Sequence, residues 1–429
     1  MIATVDEAPH RSDRTDLKDF MSDAHKVGAV RGTALFVAAI IGPGILTLPA
    51  LAAAQAGPAS LIPLALLLGI SAPIAFTFTA LHRVAPDAEG IAGYAAAAFG
   101  PFAGRLVSAW FLYGVPIGVP ALGLIGGHYV AEAFGGGKAT TTIVAVLVCA
   151  IAVTSTILHR AGNGPVTLIL TIVLVVLVVA TAVVAAPHAR PANLTPFAPH
   201  GVVAVVASTL LLTWVLTGWE AVTNFTGVLR DPARTLPRVT AITLIIVAVL
   251  YACVAVPEIL VLGGDAGGTQ APVAAMLRIA VGPVGAIAAA IIAVVVALGN
   301  SLAYVGSLAE LGAARAKAAH PNVEPARGRV LVIPVLIIVA GLIAVTVLPI
   351  GTETLVSICA GSQVPVYVLG LAAAVKLLPR FGGWWWLAVV STAAVAVLLV
   401  PAGLYLLVPA VIAVVLFLLR GRRRVPAVD

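Results

Sequence analysis

Charge is scarce in this chain. Of 429 residues only 10% are Asp, Glu, Lys or Arg, whereas 61% are hydrophobic and the mean hydropathy is +1.12. Soluble domains carry about 25% charged and roughly 45–50% apolar residues. A soluble fold is excluded, and a polytopic membrane protein is implied. Cysteine is nearly missing too. Cys149, Cys253 and Cys359 each sit in an apolar segment without paired spacing, so neither a disulfide framework nor a metal site is supported. At membrane depth there is no His-Glu-x-x-His, no Gly-x-Ser-x-Gly and no acidic pair, and the histidines fall mostly in tails and loops. An intramembrane enzyme therefore lacks its parts. The filter-like repeat or charged ring of a channel is missing as well.

What is there is apolar sequence in long runs. On the criterion of roughly 20 residues per span, about twelve spans are expected, at 28–56, 59–81, 104–133, 139–158, 164–186, 202–228, 238–263, 281–312, 329–349, 353–376, 384–400 and 402–420. Residues 1–27 read as a polar cytoplasmic tail without a signal-peptide core, and 421–429 as a basic cytoplasmic tail. If the N-terminus is inside, 21 of the 24 Lys and Arg fall on the inner side and only Lys138, Arg190 and Arg278 on the outer. That bias places both termini in the cytoplasm. The net charge of +7 is thus a topology signal, helped by anionic membrane lipid, and implies no nucleic acid. The expected location is a bacterial inner membrane. Trp384–Trp386 read as an interfacial belt.

The first span carries Gly42-Pro43-Gly44 at its midpoint, although glycine and proline are the poorest residues for a helix interior. The sixth is interrupted at Thr217-Gly218-Trp219-Glu220. Two interrupted spans at matching places, five spans apart, mark an inverted repeat and a transporter's midplane site. The repeats are expected at 28–186 and 202–376, with two further helices over 384–420. If span 1 breaks at Gly42, Pro43 falls in the first turn of the second half-helix, where its missing N–H costs little. The Gly44 and Ile45 amides then face a carboxylate. Carbonyls around Val215–Gly218 suit an ammonium group. Donors facing acceptors describe a zwitterion, so an α-amino acid fits. Glu220 is the acid nearest a span's middle, with Glu132, Glu258 and Glu310 near span ends; an intramembrane acid is a functional candidate by default. The two readings of Glu220, proton exchange or a structural prop, stay open.

Four stretches resemble the amino acid–polyamine–organocation (APC) superfamily of transporters. They are Gly42-x-Gly44-Ile45 with Leu48-Pro49, "PDAEGIAGYAAAAFGPFAGRLVSAW", "TWVLTGWEAV" and "RDPARTLPRV". "PALAAAQAGPASL" and "GVPIGVPALGL" look most like bacterial exporters of methionine and branched-chain amino acids. The resemblance implies an all-α, leucine-transporter-like 5+5 inverted repeat with broken helices 1 and 6. It implies a substrate site of Ile41, Gly42, Gly44, Ile45, Trp214, Thr217, Gly218 and Tyr304, with Trp214 closing over the substrate and Glu220 as the proton-coupling candidate. Asn300 and Ser301 in span 8 are weak sodium candidates by likeness to sodium-coupled relatives. Pro43, Glu89 and Glu310 depart from the family pattern, and span 5 has no lysine. The expected function is secondary transport of neutral hydrophobic amino acids (methionine, leucine, isoleucine, valine) outward against protons by alternating access. A proton-coupled importer or exchanger of amino acids or related amines is the alternative. No cofactor and no obligatory protein partner is expected.

Overall fold

The computed structural model describes residues 27–86, 88, 90–158, 164–219, 229–319 and 325–422. Among these, the chain is helical but for one isolated bridge between Val27 and Leu229. In order come α1 (Ala29–Ile40), α2 (Leu48–Ala56), α3 (Leu61–Val84), α4 (Gly90–Phe99), α5 (Pro101–Gly114) and α6 (Gly118–Phe134). They are followed by α7 (Gly137–Ile157), α8 (Gly164–Ala185), α9 (Gly201–Leu212), α10 (Pro232–Leu262), α11 (Pro272–Val281) and α12 (Pro283–Ala319). The last are α13 (Arg327–Val347), α14 (Thr352–Leu377), α15 (Gly383–Val397) and α16 (Leu407–Arg422). Among the described residues nine helices have the length and composition to cross a membrane. The broken first and sixth spans are shorter pieces.

The breaks follow from local sequence. α1 stops at Ile40 because Ile41 and Gly42 are extended, and Pro43 then starts a 3-10 turn over Pro43–Leu46. α9 runs into a matching 3-10 turn, Thr213–Leu216, after which Thr217 is extended and Gly218 takes φ +107°. That φ is steeply unfavourable for any residue with a β-carbon. Span 3 also bends, at a 3-10 turn over Val115–Ile117 between α5 and α6, where Pro116 and Pro120 interrupt the helical ladder.

Two packing groups result. α1 lies against α10, and α2 against α9, so the halves of span 1 face the seventh and sixth spans respectively. The amide of Arg230 donates to the Val27 carbonyl at 3.0 Å, tying the start of span 1 to the start of span 7. The other group is α6, α7 and α12, packed mutually, with α14 crossing between α3, α4, α5 and α6. Close approach of α6 to α7 relies on Gly123 and Gly127, one turn apart. A β-carbon on Gly123 would stand 2.9 Å from Ala145 Cα, and one on Gly127 would collide with the Thr141 carbonyl. This is the small-residue contact by which helices associate where no hydrophobic effect separates them from lipid.

Replacing Gly127 by leucine should therefore push α6 off α7, at a cost of about 1–3 kcal/mol, the usual scale of overpacking. The expected outcome is a lowered thermal midpoint of the detergent-purified protein, with Gly127→Ala between it and the native chain. A native midpoint for Gly127→Leu would contradict this packing.

Candidate functional site

The two breaks meet. A β-carbon on Gly218 would stand 2.8 Å from both the Ala39 carbonyl oxygen and Ile40 Cα, so the sixth-span break rests directly on the last turn of α1. Gly44 faces Trp214: a β-carbon there would lie 3.6 Å from Trp214 Cε3. The far edge of the same indole lies over Gly118, where a β-carbon would be 3.1 Å from Cζ2. Trp214 is thus wedged between spans 1 and 3 and is 8% exposed. A side chain at Gly118 would press on the indole, whereas a β-carbon at Gly44 would meet it at ordinary contact distance and crowd Leu48 instead.

The backbone groups freed by the breaks are divided between protein partners and none. The amides of Gly42 and Gly44 find no acceptor among the described residues. Ile45 differs from the sequence expectation, because its amide donates to Gly42 O at 3.3 Å within the 3-10 turn. On the sixth span the Leu216 carbonyl, one of the expected acceptors, is already taken by the Tyr367 hydroxyl at 2.5 Å. Trp214 O accepts from the Thr217 amide at 3.1 Å. The first-span turn is treated alike: Leu46 O accepts from the Tyr129 hydroxyl at 2.7 Å. Each 3-10 turn therefore ends in a leucine whose carbonyl is capped by a tyrosine from another span.

Thr217 Oγ1 donates to Gln363 Oε1 at 2.9 Å, and Gln363 Nε2 reaches Cys359 Sγ at 3.5 Å. Between Thr213, Trp214, Thr217, Gln363 and Tyr367 the open space is only about 10 Å³, room for no more than a water. Asn300 packs on the first break: its Oδ1 lies 2.8 Å from where a Gly42 β-carbon would be, while its Nδ2 donates to Val296 O at 3.2 Å. Ser301 is fully buried with its Oγ unpartnered among the described residues. Ile41 is buried at the break, and Tyr304, one turn beyond Asn300 on α12, is half-buried against the core. Glu220 and Glu89 lie outside the described residues, and Glu310 is exposed. Among the described residues, no cluster of His, Cys, Asp and Glu could hold a metal ion.

A larger cavity, about 560 Å³, opens on the face opposite Val27. His128, Glu132, Lys138, Gln270 and Thr352 line it, but none of the residues expected at the site does. His128 Nε2 and Thr352 Oγ1 are 3.1 Å apart across it.

A family model described as amino acid permease matches residues 28–426, nearly the whole chain. The chain belongs to that family. Among curated proteins, the permease is 29% identical over 369 residues to the uncharacterized amino acid permease YecA of Bacillus subtilis (strain 168), covering 83% of this chain and 86% of YecA. It is also 29% identical over 255 residues to the L-methionine/branched-chain amino acid exporter YjeH of Escherichia coli (strain K12), covering 59% of this chain and 60% of YjeH. Among solved structures, MhsT in complex with L-phenylalanine superposes with TM-score 0.56 at 16% identity, over 86% of this chain and 98% of that one. The permease thus shares the leucine-transporter-like fold.

Gln363, Tyr367 and Tyr129 were not among the site residues expected from sequence. The signal for Gln363 was present: it is a lone amide in an apolar span, and such residues usually bond across helices. The tyrosines gave none, since each bonds a carbonyl 151 or 83 residues away.

Tyr367→Phe should strand the Leu216 carbonyl in a dry site, a loss of about 1–3 kcal/mol. Expected are a lower thermal midpoint and slower amino acid transport in proteoliposomes. Unchanged transport with a native midpoint would show that the cap is dispensable.

Proposed function

We propose that this permease moves neutral, hydrophobic α-amino acids (methionine, leucine, isoleucine or valine) outward across a bacterial inner membrane in exchange for protons, with both termini in the cytoplasm. The observation that carries the reading is the pair of unpartnered amides at Gly42 and Gly44 beside Trp214. Free amides at the start of a helix segment attract a carboxylate. The neighbouring side chains Trp214, Thr217, Gln363 and Tyr367 are uncharged, which favours an uncharged substrate side chain over arginine or a polyamine. The likeness to YjeH, named for methionine and branched-chain amino acids, supports the substrate class and the direction. The proton is assigned as coupling ion, with Glu220 its candidate carrier from the sequence. Asn300 packed on Gly42 and the unpartnered Ser301 keep a sodium test worthwhile alongside.

Alternating access would rock spans 1, 2, 6 and 7 against spans 3, 4 and 8, across the contact where Trp214 lies between Gly44 and Gly118. In this geometry the centre is closed, and substrate entry requires the indole to swing away.

Proteoliposomes loaded with labelled methionine or leucine test the reading. Efflux should rise under an imposed proton gradient, stay indifferent to sodium, and lose its gradient dependence in Glu220→Gln. Efflux indifferent to pH in the native protein would make this a uniporter or exchanger. If neither amino acid moves from folded protein, the exporter assignment fails and other amines must be tried.

A further inference from the structure

Glu258 lies on α10, one turn before its end at Leu262. The sequence places it near a span end, and the residue is 0% exposed. Neither carboxyl oxygen has a hydrogen-bond partner among the described residues. Tyr251, Val254, Ala255 and Ile259 of the same helix are buried around it. An ionised carboxylate taken out of water with neither cation nor donor costs several kcal/mol.

The charged and titratable groups nearby do not relieve that cost. Tyr129 of α6 commits its hydroxyl proton to Leu46 O at 2.7 Å, and its oxygen accepts from the Val273 amide at 3.4 Å. Glu132, one turn beyond Tyr129, is held by Arg278 of α11 at 3.4 Å. Arg190 approaches α10 only through its backbone, its amide donating to Leu260 O at 2.8 Å. Arg190, His188 and Asp265 are exposed. Across α1, α2, α3 and α8, the other helices against α10, the described charged residues Arg31 and Arg83 and the neighbouring His82 sit at the opposite membrane face.

The cover over this end is tied together from pieces of different spans. Tyr129 joins the first-span break to the start of α11. Thr47 Oγ1 donates to Gln270 O at 3.0 Å, a second tie between the same two pieces. Gln270 Oε1 is itself buried without a partner. If α2 swings out to open this face, both ties part and water reaches α10.

We propose that Glu258 is a proton-binding site of the transport cycle, loaded while this face is closed and emptied when it opens. On opening, the carboxyl O–H bond breaks, the proton passes to water, and the electron pair stays on the carboxylate. Closing requires a proton to return. The proton leaves and returns through the same open face, so none crosses the membrane; the carboxyl instead makes shutting this face depend on the pH on that side, at a site remote from the breaks. Such a gate is independent of the proton exchange proposed above, which needs a carrier open to each side in turn.

Two measurements on the full chain test it. Infrared difference spectra of native protein and Glu258→Gln, recorded through a pH series without substrate, read the carboxyl directly. A protonated-carboxyl stretch present at neutral pH in the native protein and lost in the variant is expected; an unchanged band overturns the proposal. In proteoliposomes held at equal pH on both sides, methionine counterflow by the native protein should fall as that pH is raised, because the deprotonated carboxylate keeps this face from shutting, and the fall should be absent in Glu258→Gln. A fall of the same size in the variant overturns the proposal. Should Glu258→Gln not fold, Glu258→Asp decides: an altered pH profile of transport supports the site, and a native profile overturns it.

Discussion

A helix interrupted in hydrocarbon must have its freed backbone groups covered by protein, since no water is there to pair with them. That constraint organises this molecule. The break in the first span and the break in the sixth cover one another, with Gly218 seated on Ala39 and Ile40. Only a glycine serves at that contact, for two independent reasons: the positive φ and the lack of space for a β-carbon. The remaining exposure is closed by residues from other spans, Tyr129 and Tyr367 on the carbonyls, Asn300 and Trp214 on the glycines. Among the described residues, the amides of Gly42 and Gly44, beside the wedged indole, find no acceptor.

Much of this was legible in the sequence because it is local. Gly42-Pro43-Gly44 announces a break through the backbone alone, and the offset of five spans to Thr217-Gly218 makes the second break credible. An inverted repeat followed from those two features, the resemblance to the superfamily implied its leucine-transporter-like form, and the superposition on MhsT agrees. The caps were illegible for the opposite reason. Nothing near Tyr129 or Tyr367 says which carbonyl it will find, because that is decided by how spans cross. Glu258 shows the same limit. The sequence places it near a span end, but that α11 and the segment before it fold back over that end is revealed by no property of the residues around Glu258.

The tyrosine caps also alter what the acceptor side of the site can be. The expectation was a row of free carbonyls at Val215–Gly218 for an ammonium group. With Leu216 O and Trp214 O engaged, a bound ammonium would have to replace the Tyr367 hydroxyl or lie elsewhere along the break. A neutral O–H···O=C bond contributes only about 0.5–1.5 kcal/mol net, and one to a charged group about 1.5–3. The exchange would also strand the Tyr367 hydroxyl at a cost of about 1–3 kcal/mol, so the bond to ammonium gains nothing unless that hydroxyl finds a new partner.

The same logic holds at the first-span turn, where Tyr129 caps Leu46 O and also receives the Val273 amide. One hydroxyl there links a broken helix, a helix of the packing group around span 3, and the helix covering the opposite face from Val27. There are two bonds: moving the helix that carries Tyr129 strains both, and moving either other piece strains one. Two like devices thus hold the two breaks, Tyr367 at the sixth-span turn and Tyr129 at the first. Because the caps come from different spans, α14 for one and α6 for the other, either bond can part without breaking the other.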